Sequence, residues 1–286
     1  MAVTTVSDLN SLYNTIYERA LFVAREMNMM AALVDNRSAT GRMNRVVPIR
    51  PQATAVTVGE TEDFNAPTTL GKSALATLTP STAIAQAVIT DADMETDPDS
   101  AVGDATFELG SSIGTKIDTD LAALFDSFTT DKGDGASNTA TMANIGAGIA
   151  VLGFNHARQF GKPNVVLHPY HWHDIWTELG QPAATYTNLQ ELTTQALRDY
   201  YVSNLLACNW FTCANIAIDA SDDAVSGIFS RPALMLDTRR AMRLETERDA
   251  SLGGGATELN MTAVYAVGVV RQTFGIGFTA DATEPA

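Results

Sequence analysis

The chain has 286 residues, 45% of them hydrophobic, which is enough for a sizeable core in one or two domains. Its formal net charge of −15 argues against an ordinary nucleic-acid reader, whose affinity comes from a basic stripe that neutralises phosphates, but is compatible with a container wall that must not stick to its contents. Two cysteines, Cys208 and Cys213, make no disulfide framework, the N-terminus has no signal-peptide pattern, and no apolar run reaches the ~18 residues of a membrane span.

Helical spacing runs from residue 8 to 34 through Leu9, Leu12, Ile16, Ala20, Val23 and Met27. Residues 35–45 are polar. From 44 to 90 the chain reads as extended, with strands predicted at 46–49, 56–58, 74–78 and 84–90. A polar tip, Gly59-Glu60-Thr61-Glu62-Asp63-Phe64, lies between them. Thr and Ala dominate this stretch, so a hairpin made from it buries little of itself and is predicted to lie on something else.

Residues 97–130 form the most distinctive segment. Val102, Ala105, Leu109, Ile113, Ile117, Leu121, Leu124 and Phe128 follow one another at steps of three or four, the helical period. Asp97-Pro98 supplies a cap and a first-turn proline, and the Lys132–Gly135 loop supplies a stop. About 28 residues at 1.5 Å each span roughly 42 Å, long for a domain of this size. Asp104, Glu108, Thr115 and Asp118 fall off the apolar seam, which leaves that side of the helix for neighbours or for an interior.

Beyond it, helices are predicted at 142–160, 170–179 and 188–200. A short buried strand is predicted at 163–168 and strand-like chain at 201–219. The C-terminal part reads as strands at 228–229, 234–236, 242–249, 259–270 and 274–278.

Chemical motifs are present only in fragments. Gly110-Ser111-Ser112-Ile113-Gly114 matches G-x-S-x-G, but it sits inside the long helix instead of on a strand-to-helix elbow. His168, His171 and His173 suggest metal, yet positions two apart on a helix do not share a face. The acidic run Asp91 to Asp99 lacks the glycine and glutamate of a calcium loop. Gly146-x-Gly148 lacks the third glycine of a dinucleotide site. No catalytic, metal or cofactor residue is therefore assigned. The charge pattern survives: Arg37, Arg42, Arg45 and Arg50 lie in a stretch without acids, whereas Glu60, Glu62 and Asp63 crowd the tip. Arg42, Arg45, Arg50, Glu60, Glu62, Asp63, Phe64, Asp104 and Glu108 are the candidate subunit-contact residues, with Arg45 and Arg50 expected to meet acid on a neighbouring subunit.

The order of parts, together with Arg248-Asp249-Ala250-Ser251, Ala263–Arg271 and the finish Gly275-Ile276-Gly277-Phe278-Thr279-Ala280-Asp281, resembles the major capsid proteins of tailed bacteriophages, the Hong Kong 97 type. Asn164-Val165-Val166-Leu167-His168-Pro169 followed by an aromatic helix resembles a strand and helix of that family's axial domain. The resemblance implies an α+β fold with an N-terminal arm (1–43), an extended hairpin loop (44–90), a peripheral domain with its spine helix (91–135), a mostly axial domain (136–227) and a β-rich return to the peripheral domain (228–286). It implies self-assembly into pentamers and hexamers of an icosahedral shell around double-stranded DNA bound without sequence preference. A separate scaffolding protein, a portal vertex and, in some relatives, a decoration protein are the partners, with no membrane involved. Assembly would take place in the bacterial host cytoplasm and the product would be the virion capsid. Lys72 is the only arm lysine that a family-type crosslink could use, and nothing marks its acceptor. Two other readings remain open at this stage: an encapsulin-type nanocompartment shell protein, and a cytosolic metal-dependent hydrolase using the histidines.

Overall fold

The computed structural model describes residues 29–50, 53, 55–61, 63, 69–96, 101–180, 205–251 and 254–285. The expected helix at 188–200, the Asp97-Pro98 cap and most of the 8–34 helix lie outside them. Of that first helix, α1 (Met29–Leu33) is described, with Met30 buried.

Two four-stranded sheets and one two-stranded arm make up the β-structure. The first sheet has the order β1 (Asp35–Ser38), β8 (Leu234–Asp249), β9 (Ala256–Val269), β4 (Ser81–Thr90). The β8 and β9 strands form a long antiparallel hairpin, β1 adds in parallel to the start of β8, and β4 runs antiparallel to β9 from Ser81↔Tyr265 to Thr90↔Ala256. The segments expected at 234–236 and 242–249 are therefore one strand of 16 residues. The second sheet has the order β10 (Gly275–Asp281), β7 (Asp223–Phe229), β5 (Asn164–Leu167), β6 (Asn209–Thr212). The arm pairs β2 (Arg45–Ile49) with β3 (Ser73–Leu78), and its register shifts between Val47 and Pro48, where proline has no N–H to give the ladder.

This topology corrects the single hairpin expected over 44–90. Only 45–78 belongs to the arm, and β4 joins the body. Ala83, Ala85 and Ala87 alternate inward from β4 beneath the long helix, where small side chains allow close approach, while Ile84 and Val88 face outward. Residues 56–58 lie in the arm without strand pairing. Of the strand-like chain expected at 201–219, residues 201–204 lie outside the described residues and the rest carries β6 after a 3-10 turn at Leu205–Ala207. Residues 228–286, expected to return as one block, divide: β8 and β9 enter the first sheet, and β10 crosses to the second by pairing with β7. Pairing in β sheets is non-local, so local sequence patterning does not reveal that switch.

Asp91–Thr96 forms a short helix, α2, and the long helix α3 spans Ala101–Ala122. Its 22 residues reach about 33 Å at 1.5 Å per residue. The helix tightens into a 3-10 turn at Ala123–Ser127 and ends in extended chain at Phe128, several residues before the loop expected to stop it. Tightening changes the period, so Phe125 turns fully inward while Leu124 is half-buried. Phe125 lies against Gly227 of β7 and Phe128 against Gly275 of β10, two positions where a Cβ would fall inside the ring's van der Waals contact. The end of α3 thus plugs into the second sheet, while Leu109, Ile113 and Leu121 pack into the core that it shares with the first.

The second sheet is covered on its other face. Ser226 and Ile228, two apart on β7 and so on one face, meet α5 (Pro169–Gly180) and α4 (Met142–Phe154) respectively. Gly148 of α4 packs so closely on Ile228 that a Cβ would reach its Cδ1 at 2.9 Å, which gives Gly148 a packing role, whereas a Cβ at Gly146 would meet nothing within 4 Å. The helix ends at Phe154, and a left-handed His156 separates it from a 3-10 turn at Ala157–Phe160.

Candidate assembly interface

The arm is anchored at its base, where Leu78, Val47 and Leu75 pack with Met235, Ala266 and Val270 of the body, and beyond that base it exposes apolar side chains. The Arg45 guanidinium lies 2.8 Å from Asp237 Oδ1, and Arg239 Nε donates to the other carboxylate oxygen at 2.7 Å. Asp237 is fully buried at the start of β8. This corrects the expectation that Arg45 pairs across subunits: its partner is 192 positions away in the same chain, brought near because β1 and the arm base both lie beside β8. Arg37 likewise pairs within the chain, with Asp35 at 3.1 Å.

Arg42 and Arg50 are exposed, and among the described residues no ion pair joins either to an acid of this chain. Glu60 and Asp63 are exposed at the tip. Glu62 and Phe64, and the side chain of Asp104, lie outside the described residues. Glu108 is half-buried on α3. Sequence reasoning passed over the arm's apolar exposure: Met43 is 82% exposed, and Val46, Val56 and Leu70 each show more than half of their surface. Alternation along a strand would have flagged Val46, which faces away from Val47, the β2 residue that packs on the body.

Asp118 shows a second correction. Expected on the free side of α3, it is fully buried and accepts a hydrogen bond from the Met29 backbone N–H at 2.8 Å. On the same helix, Asp120 accepts from Tyr265 Oη at 2.7 Å; burial and this carboxylate hold the phenol above its usual range. Two acids of α3 therefore tie the helix to α1 and β9 instead of facing a neighbour.

The chemical fragments also have structural work. Gly110 faces Met261 of β9, and Ser111 is buried in mid-helix. His171 is fully buried. Its Nε2 faces the Ala280 carbonyl at 3.1 Å, so Nε2 carries the proton, and its Nδ1 accepts from Ser226 Oγ at 2.8 Å. Ser226 Oγ in turn accepts from the His168 backbone N–H at 3.0 Å. Burial lowers the His171 pKa, and burial with the neighbouring His171 lowers His168 to about 4. Both ring nitrogens of His171 are occupied by protein groups, so the ring locks α5 onto β7 and β10 and has no lone pair free for a metal. Asp91 of the acidic run is bound by Arg248 through two bonds of 2.5 Å. Among the described residues no helix is long and apolar enough to cross a membrane.

What this arrangement offers is surface: an anchored arm flanked by Arg42 and Arg50, which make no ion pair among the described residues, with exposed acids at its tip and exposed apolar side chains. No protein-family profile and no curated protein sequence matches the chain. Solved structures do. A chain from Mycobacterium phage Che8 superposes with a TM-score of 0.67 at 15% identity, covering 90% of this chain and 92% of that one. The capsid structure of cyanophage P-SCSP1u gives 0.65 at 12% identity over 92% and 91%. The head structure of Helicobacter pylori bacteriophage KHP40 gives 0.62 at 12% identity over 99% of each chain. End-to-end coverage in the last case includes the arm, both sheets and the long helix together. The chain therefore has the Hong Kong 97-type fold found in phage capsids and heads.

Proposed function

We propose that this chain is the major capsid protein of a tailed bacteriophage, assembling with copies of itself into pentamers and hexamers of an icosahedral shell around double-stranded DNA. The observation that carries the reading is the end-to-end match to phage capsid and head chains, at 91–99% coverage of both partners, by a chain whose arm exposes Met43, Val46, Val56 and Leu70. In this reading the first sheet with α3 is the peripheral domain and the second sheet with α4 and α5 is the axial domain. The β2–β3 arm is the extended loop that lies on the next subunit. Arg42 before β2, Arg50 just beyond the distal end of β2, and Glu60 and Asp63 at the tip are the contact residues retained. Each such contact is weak, and a closed shell sums many of them. A separate scaffolding protein, a portal vertex and, where present, a decoration protein complete the partners. The protein is made and assembled in the host cytoplasm and ends in the virion. No observation favours the nanocompartment or the hydrolase.

Sedimentation velocity of the purified chain, alone and co-expressed with its scaffold, tests the proposal. Species of hundreds of subunits are expected. A single monomeric boundary in every condition would overturn it.

A further inference from the structure

The first sheet has an open edge on each side, and the two edges differ. On one side β1 covers β8 only from Met235 to Thr238. Past that point the β8 register shifts between Thr238 and Arg240 and again between Arg240 and Arg243, and the charged residues Arg243, Glu245, Glu247 and Arg248 follow. Irregular register and charge are the features that keep an edge from pairing with another chain. On the other side stands β4, which pairs with β9 along all 10 of its residues. Among the described residues no strand pairs with its outer edge. Ser81–Thr90 holds no charge, no proline and no register shift. Ile84 is 64% exposed and Val88 46%.

The order of side chains along β4 selects its occupant. Thr82-Ala83-Ile84-Ala85-Gln86-Ala87-Val88-Ile89-Thr90 has nearly the same chemistry in both directions from Gln86. A two-fold contact between identical chains demands that property, because residue i meets j wherever j meets i. A strand from a different polypeptide would demand no symmetry of β4. Two β4 strands related by a two-fold axis through Gln86, normal to the sheet, run antiparallel. Ala85 then stands opposite Ala87 of the second copy, Ile84 opposite its Val88, Ala83 opposite its Ile89 and Thr82 opposite its Thr90. Every pair joins residues of one face, as the pleat requires. The alanines stay on the side of α3, and Ile84 and Val88 cover each other on the outer side.

We infer, on the self-assembly proposed above, that the β4 edge pairs antiparallel with the β4 edge of a second copy about a two-fold axis at Gln86, which joins the first sheets of two subunits into one. A strand pair alone buries less than the roughly 1,000 Å² of a stable interface, so the contact forms among the many contacts of a particle.

Cysteine pairing in assembled, mildly oxidised particles tests both the contact and its register. Residues opposite each other on antiparallel strands have Cα atoms about 4.5–5.5 Å apart, within disulfide reach. Gln86, Ile84 and Val88 are exposed, and the native Cys208 and Cys213 are fully buried. Gln86→Cys should give a disulfide-linked dimer on a non-reducing gel from a single variant. Ile84→Cys and Val88→Cys should each give none alone, since like positions lie about 13 Å apart along the strands, and should give a heterodimer when co-expressed. In parallel, Ile84→Lys with Val88→Lys places like charges opposite each other and should lower particle yield about tenfold with monomer Tm unchanged. Ile84→Lys with Val88→Glu places opposite charges there and should restore the yield. Normal particles without the Gln86→Cys dimer, or with equal dimer from Ile84→Cys alone, would overturn this inference and leave the shell proposal standing. A Gln86→Cys crosslink mapped to any other strand, of this chain or of another polypeptide, would overturn it in favour of that strand. Absence of particles from the unsubstituted chain in every condition would overturn both.

Discussion

Asp237 is the point at which the arm is held to the body, and replacing it should loosen the arm in the isolated chain before any assembly occurs. The carboxylate is fully buried between the guanidinium groups of Arg45, whose side chain is 26% exposed, and Arg239, 7% exposed. At an effective dielectric constant near 20, each unit-charge pair at about 3–4 Å is worth about 4–5 kcal/mol before desolvation. Desolvation offsets most of that, so the pair's net value is small, but removing one partner leaves the other uncompensated. Asp237→Asn leaves two guanidinium groups facing each other and should cost about 3–4 kcal/mol. Arg45→Ala leaves Asp237 paired with Arg239 and should cost only about 1–2 kcal/mol, because Arg45 is partly hydrated. Urea unfolding of the monomer followed by far-UV circular dichroism measures both, and the double variant should show a coupling of at least about 1 kcal/mol. Limited proteolysis within 50–72 should speed up in Asp237→Asn. Equal and small effects of the two substitutions, with no coupling, would refute this account of the anchor.

Other outcomes follow from the same packing. Gly227→Ala places a methyl group inside the Phe125 ring and should destabilise the chain by about 1–3 kcal/mol, with recovery in a Gly227→Ala/Phe125→Leu double variant measured by thermal unfolding. Ser226→Ala leaves the His168 N–H and His171 Nδ1 without their shared partner inside the core and should cost about 1–3 kcal/mol by urea unfolding. The histidines also set a pH dependence: His168 is held at about 4 against an ordinary 6.5, and His171 is lowered too, so between those values the unfolded chain takes up protons that the native chain refuses. Stability should be flat above pH 7 and fall between pH 6.5 and 4 by up to about 3 kcal/mol for His168, and His168→Gln should flatten that slope.

The long helix was legible because its partners are periodic: Leu109, Ile113 and Leu121 recur at helical steps and are buried as that spacing requires. Phe125 was hidden because the tightened last turn breaks the period on which the reading depends. Asp118 and Arg45 were misplaced for a different reason. Charged residues are read as solvated by default, and their partners, the Met29 amide and the Asp237 carboxylate, lie 89 and 192 positions away. The arm's existence was legible in its Thr- and Ala-rich composition, but its far boundary was not, since β3 and β4 have similar composition and differ only in which strand each pairs with. The histidine cluster had the spacing of an ordinary helix turned to a core, and Ser226 and Ala280 are what occupy His171 there.

Electron microscopy of the expressed chain, with its scaffold supplied, tests the central claim most directly. The account predicts closed icosahedral particles in which each β2–β3 arm lies on an adjacent subunit and both five- and six-fold clusters occur. A chain that remains monodisperse and monomeric under every condition, or particles in which the arm contacts only its own subunit, would contradict it.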